Sequence, residues 1–339
     1  MRLLLTLLWA TLIQAQDPQF DVDSRLVMVP VTVTDSKGRP VDGLEPSDFR
    51  IYDNGVLQQV AVDTTGTGVA PIALVVAVQS SGISVPVLEK VQKIGVMIQP
   101  LITGERGCAA LLTFDQEVQW RQECTSDADL LQGAFFKLQP GDYKTARMLD
   151  AVVESVKKLR TRPNVRRVLL LISESRDRGS ETELQTAAMS AQAAGVTVYS
   201  FPYSAYTTAF TTKSSKSKDP EKNDLPRPNR TEPLSPKGRV PMPPPEQRVD
   251  ILGGLGELMR LGKVKDIEVL ASSTGGTSFS FTRQKALEAA IEKLGGELHS
   301  QYVLSFAPSD PTPGYHRIEV KIEGSSKHNV RARPGYWSR

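Results

Sequence analysis

The chain has 339 residues, of which 40% are hydrophobic and 23% are charged. This composition is ordinary for a globular protein with a sizeable core, and the length favours two domains. The formal net charge of +3 is nearly balanced, which argues against nucleic acid as a partner.

The first 15 residues have the features of a signal peptide. Arg2 supplies a positive end, residues 3–13 form an apolar core, and residues 13–15 form a small-residue cleavage site. The apolar run is too short to span a bilayer, and no later run is long enough for a transmembrane segment. We expect cleavage near Ala15 and a mature protein that is secreted or periplasmic.

Residues 20–66 are predicted to form an N-terminal β segment. Residues 26–34 alternate in hydrophobicity around a proline, and residues 48–53 form a second strand. Asn54-Gly55 is a strong signal for a hairpin turn, after which residues 57–64 return. We expect this segment to be a scaffold that carries no chemistry.

Residues 71–206 form the first part of a predicted α/β domain, in which strands and helices alternate. Its organising stretch is the apolar run from Ile72 to Val78, which ends abruptly in Gln-Ser-Ser-Gly. Such a run predicts a strand buried on both faces of a parallel sheet, with the turn at its carboxyl end, where α/β sheets hold ligands. The elements predicted next are a helix with the apolar stripe Val87, Val91, Ile94 and Ile98, strands at 106–114 and 118–125, helices at 127–138 and 145–159, a strand at 165–172, a helix at 181–194 and a strand at 196–201.

Residues 207–247 interrupt this pattern. Nine prolines fall between Pro220 and Pro245, among basic and small polar residues. The segment has too little apolar surface to order itself, so we predict a disordered insertion that serves as a linker, in preference to a PxxP-type ligand. Asn229-Arg-Thr231 fits the glycosylation pattern, which matters only in a eukaryotic secretory route.

Residues 248–299 are predicted to complete the α/β domain, and residues 300–339 to return to the β segment. The first range contains helices at 249–261, 267–274 and 283–298, with a strand at 277–282 before the last helix. The second contains strands at 301–307, 316–323 and 329–336. We expect these terminal strands to pair with the N-terminal β segment, so that a small β domain is built from both chain termini.

Cys108 and Cys124 lie in two neighbouring predicted strands. If the turn between them is centred on Gln116, Phe114 faces Val118 and the cysteines face each other at a distance that suits a disulfide. The alternative is two buried free thiols, and a one-residue bulge would break this register. Export favours the disulfide, because oxidising compartments allow it.

The strand, Ser-rich turn and helix that begin at Ile72 resemble the metal-ion-dependent adhesion site of a von Willebrand factor A domain. Segments 33–41, 48–55, 301–308 and 333–337 are similar to bacterial exported "VWFA-related" proteins. The resemblance covers nearly the whole mature chain except the insertion. It implies a Rossmann-like, mostly parallel sheet flanked by helices, and a role in adhesion or protein binding.

The resemblance also implies three loops that would hold a divalent cation. The family pattern after the first strand is Asp-x-Ser-x-Ser, and this chain has Gln79, Ser81 and Ile83 there. Thr145 stands at the family's Thr in the second loop, and Glu174 replaces Asp in the third. Because charge is scarce, we expect no metal or other cofactor; if Mg²⁺ did bind, Ser81, Thr145 and Glu174 would be its ligands.

The predicted ligand-binding rim surrounds this degenerate site. Its members are Gln79, Ser80, Ser81, Ser84, Lys144, Thr145, Glu174, Arg176 and Asp177. Lys144 could form an ion pair with Glu174 in place of the metal, or it could point into water. The serines and Thr145 could also cap helices, as hydroxyls at such turns usually do.

Enzymatic interpretations find little support. Ser155-Val-Lys-Lys158 has the spacing of a Ser-x-x-Lys nucleophile, but it falls inside an amphipathic helix and lacks the companion motifs. The three histidines lie in the terminal β segment, away from the Ser-rich loops, so we predict no catalytic residues and no small-molecule substrate.

Two functional hypotheses follow. The first is a non-enzymatic, exported, protein-binding module that works without metal through its crevice rim. The alternative is a structural or assembly protein that uses a β-domain edge or the Pro-rich insertion, or a weak Mg²⁺-dependent adhesion domain. The sequence does not identify the protein partner.

Overall fold

The computed structural model describes residues 26–62, 70–204, 265–324 and 328–338. The predicted signal peptide, the Pro-rich insertion and the helix predicted at 249–261 lie outside these residues. None of the helices in the described ranges is long and apolar enough to cross a membrane.

The described strands and helices follow the predicted alternation, with small shifts in their bounds. The strands are β1 (Val27–Thr34), β2 (Phe49–Asp53), β3 (Val56–Gln58), β4 (Ala61–Val62), β5 (Ile72–Gln79), β6 (Cys108–Phe114), β7 (Val118–Thr125), β8 (Arg166–Glu174), β9 (Val196–Tyr203), β10 (Tyr302–Phe306), β11 (Gly314–Ile322), β12 (Asn329–Arg331) and β13 (Gly335–Ser338). The α-helices are α1 (Val85–Val91), α2 (Gly95–Ile98), α3 (Ala128–Phe136), α4 (Met148–Arg160), α5 (Leu184–Ala193), α6 (Asp266–Ser273) and α7 (Gln284–His299).

The α/β unit is built on a five-stranded sheet with the order β7-β6-β5-β8-β9. All neighbouring pairs are parallel except β6 and β7, which form an antiparallel edge. β5 lies at the centre and every one of its residues is buried, as the apolar run predicts. Alternate β5 side chains pack against α1, α2, α3 and α7 on one face and against α4, α5 and α6 on the other.

Two predicted elements of this unit differ from the structure. The first helix is broken into α1, a 3₁₀ turn, α2 and a π turn that ends at Thr103. Its apolar stripe is nevertheless fully buried. Two residues of the broken region are unusual for a helix: Gly95, where any Cβ would clash with Phe135, and Pro100, which lies in the π turn. The strand predicted at 277–282 is only an isolated bridge between Ser278 and Ser200, because the chain soon turns into α7.

The hairpin of β6 and β7 departs from the predicted register. Phe114 faces Val118 as expected, but two register shifts follow toward the cysteines, so Ala109 pairs with Thr125. The prediction that Cys108 directly opposes Cys124 is therefore wrong. The disulfide is present all the same, with the two Cα atoms 5.4 Å apart, because the bulged edge strand still brings the side chains within reach.

A second unit consists of two four-stranded antiparallel sheets. Their orders are β12-β1-β10-β4 and β13-β11-β2-β3, so each sheet contains strands from both chain ends. This confirms the β unit built from the two termini, with a shared core of Val, Ile, Leu and Phe side chains. The single strand predicted at 329–336 is instead two strands in different sheets, because Pro334 lacks a backbone donor and interrupts the ladder.

Candidate functional site

The candidate site is a crevice at the carboxyl ends of the parallel strands. We define the crevice by three loops, residues 79–84, 141–147 and 173–180, which follow β5, precede α4 and follow β8. Backbone hydrogen bonds hold the first two loops together: Gly141 N donates to Ser80 O at 2.6 Å, and Gly82 N donates to Tyr143 O at 2.7 Å. Both glycines allow close approach, because a Cβ on Gly141 would lie 2.1 Å from Asp115 Oδ2 and would displace that side chain, and one on Gly82 would lie 3.1 Å from a backbone oxygen.

The Gln79 side chain joins the first loop to the third. Its Nε2 donates to Ser81 Oγ at 2.7 Å. Its Oε1 accepts from Ser173 Oγ at 2.8 Å and from Glu174 N at 2.9 Å. Gln79 is 2% exposed, so the amide uses its donor and acceptor sides at once, where a carboxylate could only accept.

The hydrogen-bonded chain continues from Ser81 into the core. Ser81 Oγ lies 3.2 Å from Ser84 Oγ, which lies 2.7 Å from the hydroxyl of Tyr203 at the end of β9. Burial raises the pKa of Tyr203 above its usual range, so the phenol keeps its proton as a donor. We call Ser173, Gln79, Ser81, Ser84 and Tyr203 the buried polar chain.

The predicted hydroxyl caps are not formed. Neither Ser81 nor Ser84 makes a side-chain cap hydrogen bond, because both hydroxyls face the buried polar chain. Thr145 precedes the start of α4, and its Oγ1 lies 3.5 Å from Gln116 Nε2. Ser80 is buried and joins its neighbours through its backbone N–H and C=O groups.

Asp177 and Ser180 of the third loop cap α4 instead. Asp177 Oδ1 accepts from Met148 N at 2.8 Å and from the Ser180 hydroxyl at 2.7 Å, while Oδ2 accepts from Ser180 N at 3.0 Å. Ser180 Oγ in turn accepts from Leu149 N at 2.9 Å. Asp177 thus belongs to the crevice as predicted, but its oxygens satisfy a helix N-terminus.

The exposed part of the predicted rim lies above this buried layer. Lys144 and Arg176 are exposed, and Glu174 is partly exposed. The ion pair between Lys144 and Glu174 is not formed among the described residues. The reason is that the backbone of Glu174 is fixed by Gln79 while the Lys144 side chain extends into solvent.

The strand order places the crevice at the switch point of the sheet, next to β5 and β8. From β5 the chain crosses to β6 on one side, and from β8 it crosses to β9 on the other side. The antiparallel strand β7 forms the edge beyond β6. The bridge at Ser278 extends the other edge beyond β9. The α/β unit thus has the Rossmann-like, mostly parallel sheet flanked by helices that the sequence resemblance implies.

Several solved structures are similar to this chain. The conserved hypothetical protein BatB from Bacteroides thetaiotaomicron is 15% identical, covers 39% of this chain and 66% of its own, and has a TM-score of 0.33. The vWF domain of the type V pili tip protein Mfa5 from Porphyromonas gingivalis is 18% identical, with coverages of 33% and 40% and a TM-score of 0.29. A von Willebrand factor type A structure from Catenulispora acidiphila is 9% identical, with coverages of 86% and 73% and a TM-score of 0.44.

This chain spans less than two thirds of the length of the first two structures, BatB and the Mfa5 domain. No protein-family model matches the chain, and the search of curated proteins found no match.

The donor atoms of the crevice are a poor set for Mg²⁺, which takes about six oxygens in octahedral array. Gln79 Oε1 already accepts two hydrogen bonds, and the Ser81 hydroxyl is bonded on both sides. Asp177 Oδ1 is used at the α4 terminus, and Oδ2 accepts from Ser180 N in its own loop. Among the described crevice residues, the carboxylates of Glu174 and Asp142 and the hydroxyl of Thr145 remain, and no cluster of three His, Cys, Asp or Glu side chains suited to a metal occurs in the described residues.

The groups that an enzyme would need are engaged elsewhere. Ser155 is buried and donates to Ala151 O at 2.7 Å, so it is not placed as a nucleophile. His316 is buried between two acceptors, with Nδ1 3.0 Å from Asp53 Oδ1 and Nε2 2.7 Å from Thr312 O. The Tyr336 hydroxyl also donates to Asp53, at 2.8 Å, so His316, Asp53 and Tyr336 form one internal hydrogen-bonded cluster in the β unit.

The sequence analysis missed Tyr203, Ser173 and Ser180 as site residues. The predicted strand at 196–201 ended before Tyr203, although a tyrosine directly after a buried apolar strand is a usable signal for a polar contact at the sheet edge. Ser173 ends the buried run of β8 in the same way as Gln79 ends β5. Nothing in the sequence alone marks Ser180 as a cap for a helix that begins 32 residues earlier.

Proposed function

We propose that the protein is a non-enzymatic, exported protein-binding module that engages its partner through the crevice rim without a metal ion. The observation that carries this proposal is the Gln79 amide, which bridges Ser81 to Ser173 and the Glu174 backbone. In this proposal, internal hydrogen bonds hold the crevice loops in place. In the family that the sequence resemblance implies, a bound cation has that role.

Metal independence follows from what a cation would have to break. A ligated cation would need oxygens that Gln79 and Ser81 already use in buried hydrogen bonds. Breaking them would leave buried donors without acceptors, at about 1–3 kcal/mol each. Mg²⁺ also gives up its water reluctantly, and among the described crevice residues the carboxylates without a helix-capping role are those of Glu174 and the exposed Asp142.

The chemistry of the rim supports a protein as the ligand. Tyr143 is 48% exposed and Val85 is 44% exposed, and the charged side chains of Lys144 and Arg176 lie in the same loops. Exposed aromatic and arginine side chains in the loops of one crevice, together with other charged residues, are typical of a protein interface. The Cys108–Cys124 disulfide agrees with an exported chain, because such bonds persist in oxidising compartments.

The test compares a rim variant with a matched surface variant. Tyr143→Ala combined with Lys144→Ala should abolish capture of an exported protein partner, while Phe136→Ala, at a side chain that is 75% exposed on α3, should leave capture unchanged. Both experiments are run in EDTA. Equal capture by all three proteins, or capture that requires Mg²⁺, would contradict the proposal.

The edge strand β3 supports a second candidate, assembly through β-sheet extension. Val56 and Leu57 are 55% and 54% exposed on a three-residue strand that lies at the end of its sheet. An apolar edge of this kind can pair with another chain. Leu57→Lys should abolish self-association or partner capture if this edge is used, whereas it leaves a rim-mediated interaction intact.

A further inference from the structure

A second cavity lies at the opposite end of the α/β sheet from the crevice. It has a volume of about 330 Å³ and is enclosed by the starts of β8 and β9, the end of α5, and the β1, β10 and β13 strands of the β unit. We call it the inter-unit cleft. Its volume falls within the range of about 300–1,000 Å³ that is typical of small-molecule sites.

The wall of the inter-unit cleft is positively charged. Arg166, Arg167 and Arg333 line it, and the described lining residues include no aspartate or glutamate. Arg166 is 7% exposed and Arg333 is 8% exposed. Buried arginines are usually paired with carboxylates, so two of them and a half-buried third around one cavity whose described lining has no counter-charge require an explanation.

Backbone carbonyls account for part of the hydrogen bonding of these arginines. Arg167 donates to the carbonyls of Arg162 and Ala194. Arg166 donates to those of Ala70 and Leu298. A carbonyl satisfies a donor but does not neutralise the guanidinium charge, and burial accordingly lowers the pKa of Arg166 and of Arg333 to about 10 each. An arginine at this pKa remains protonated at neutral pH, so the positive charge stays in the wall.

Three polar atoms in the same wall are buried without a partner among the described residues. They are Arg333 Nε, Trp337 Nε1 and Gln192 Oε1. Each such atom costs about 1–3 kcal/mol when it is desolvated and unpaired. Two of the three are donors, so the residues that line the cleft are short of acceptors, although these atoms themselves are closed to solvent.

The rest of the wall is apolar and contributes surface from both units. Met28, Pro30, Val303 and Pro308 come from the β unit, and Val165 precedes β8. A wall that is cationic at one place and apolar at another is complementary to a ligand with one anionic group and a hydrocarbon body.

We propose that the inter-unit cleft binds a small organic carboxylate with an apolar body, whose carboxylate is held by Arg333 and Arg167. This binding is separate from the crevice rim and is independent of the protein-binding role. Because the ligand touches both units, its binding would also favour their observed arrangement.

The test is titration calorimetry of the exported chain with benzoate and hexanoate as probes. The matched neutral probes are benzamide and hexanamide, and inorganic phosphate serves as a purely polar anion. The carboxylates should bind saturably, while the amides and phosphate should bind roughly tenfold or more weakly, since one charge-assisted contact is worth about 1.5–3 kcal/mol.

Two variants keep the test independent of folding. Arg333→Gln should weaken carboxylate binding, and Arg167→Gln should do the same at a half-buried position where the loss of packing is smaller. Arg160→Gln, with the same change of charge at an exposed end of α4, should bind as the unmodified chain does. The proposal is overturned if no carboxylate binds, if phosphate or the amides bind equally well, or if Arg167→Gln and Arg160→Gln behave alike.

Discussion

At the residue scale, the properties of the crevice depend on the amide at position 79. A carboxylate there would repel the Glu174 carboxylate and would need a cation, but the Gln79 amide donates to one loop and accepts from another. The Tyr203 hydroxyl completes the buried polar chain from the far side of the sheet. A neutral network of this kind holds its loops only if every member keeps its partner.

Replacing Gln79 with leucine tests this network. Gln79→Leu keeps a buried side chain of similar size but leaves Ser173, Ser81 and the Glu174 N–H without their partner. We expect the free energy of unfolding to fall by about 1–3 kcal/mol or more in urea denaturation. Gln119→Leu, at an exposed position on β7, should stay within about 0.5 kcal/mol; equal effects of the two changes would contradict the network's role.

His316 makes the β unit sensitive to pH. Burial alone would lower the pKa of His316, but the Thr312 carbonyl and the Asp53 carboxylate outweigh it and raise the pKa. Both ring nitrogens face acceptors, which suits the imidazolium form. Because the folded-state pKa is raised, the stabilisation is fully present below the unfolded-state pKa of about 6.5 and is lost as the pH rises through the folded-state pKa.

The measurement is the stability of the unmodified chain and of His316→Gln from about pH 5.5 to about pH 9. The difference in unfolding free energy should be largest at acid pH and should shrink as the pH rises. His299→Gln, at an exposed ring that contacts Leu101 O, is the control. A difference for His316→Gln that does not change with pH would show that only packing was lost.

At the scale of elements, the N-terminus of α4 links the second and third loops. Its Ncap residue, Arg147, makes no side-chain cap, and Asp177 and Ser180 from 30 residues later supply the acceptors. The start of α4 and the loop after β8 therefore stabilise each other. Sequence periodicity predicts the helix, but a cap that comes from a distant loop leaves no local signal.

Asp177→Ala should loosen both elements together. We expect a loss of about 0.5–2 kcal/mol in unfolding free energy and faster hydrogen exchange at the Met148 amide, which loses its acceptor, with a smaller change at Leu149, which keeps Ser180 Oγ. Asp142→Ala changes an exposed aspartate in the same crevice and should leave both measurements unchanged. Unchanged exchange at Met148 in Asp177→Ala would rule out the capping role.

Elements with strong periodicity were predictable, and their irregularities were not. The apolar run of β5 and the stripe that ends at Ile98 identify buried segments directly. The helix breaks on either side of Gly95 leave no such periodic signal, and Gly95 itself packs closely against Phe135, a residue 40 positions later. The register shifts between β6 and β7 likewise leave no local signal in the sequence. The disulfide is therefore present, but the direct pairing of Cys108 with Cys124 from which it was predicted is not.

At the scale of the whole molecule, the two units place different chemistry at opposite ends of one sheet. The carboxyl ends of the strands carry the crevice, and the amino ends meet the β unit across the inter-unit cleft. The joining of both chain termini could be predicted, because β-type segments lie on either side of the alternating α/β pattern. The cleft could not, since its arginines and its apolar wall come from segments more than 100 residues apart.

The most direct test of the central claim is the thermal unfolding of the protein in EDTA and in excess Mg²⁺. A cation that binds the native state at a hundredfold excess over its dissociation constant stabilises it by about 2.7 kcal/mol. The buried polar chain predicts the same unfolding midpoint in both conditions, for the unmodified chain and for Ser81→Ala alike. A midpoint that rises with Mg²⁺ and no longer rises in Ser81→Ala would contradict the account and restore the crevice as a metal site.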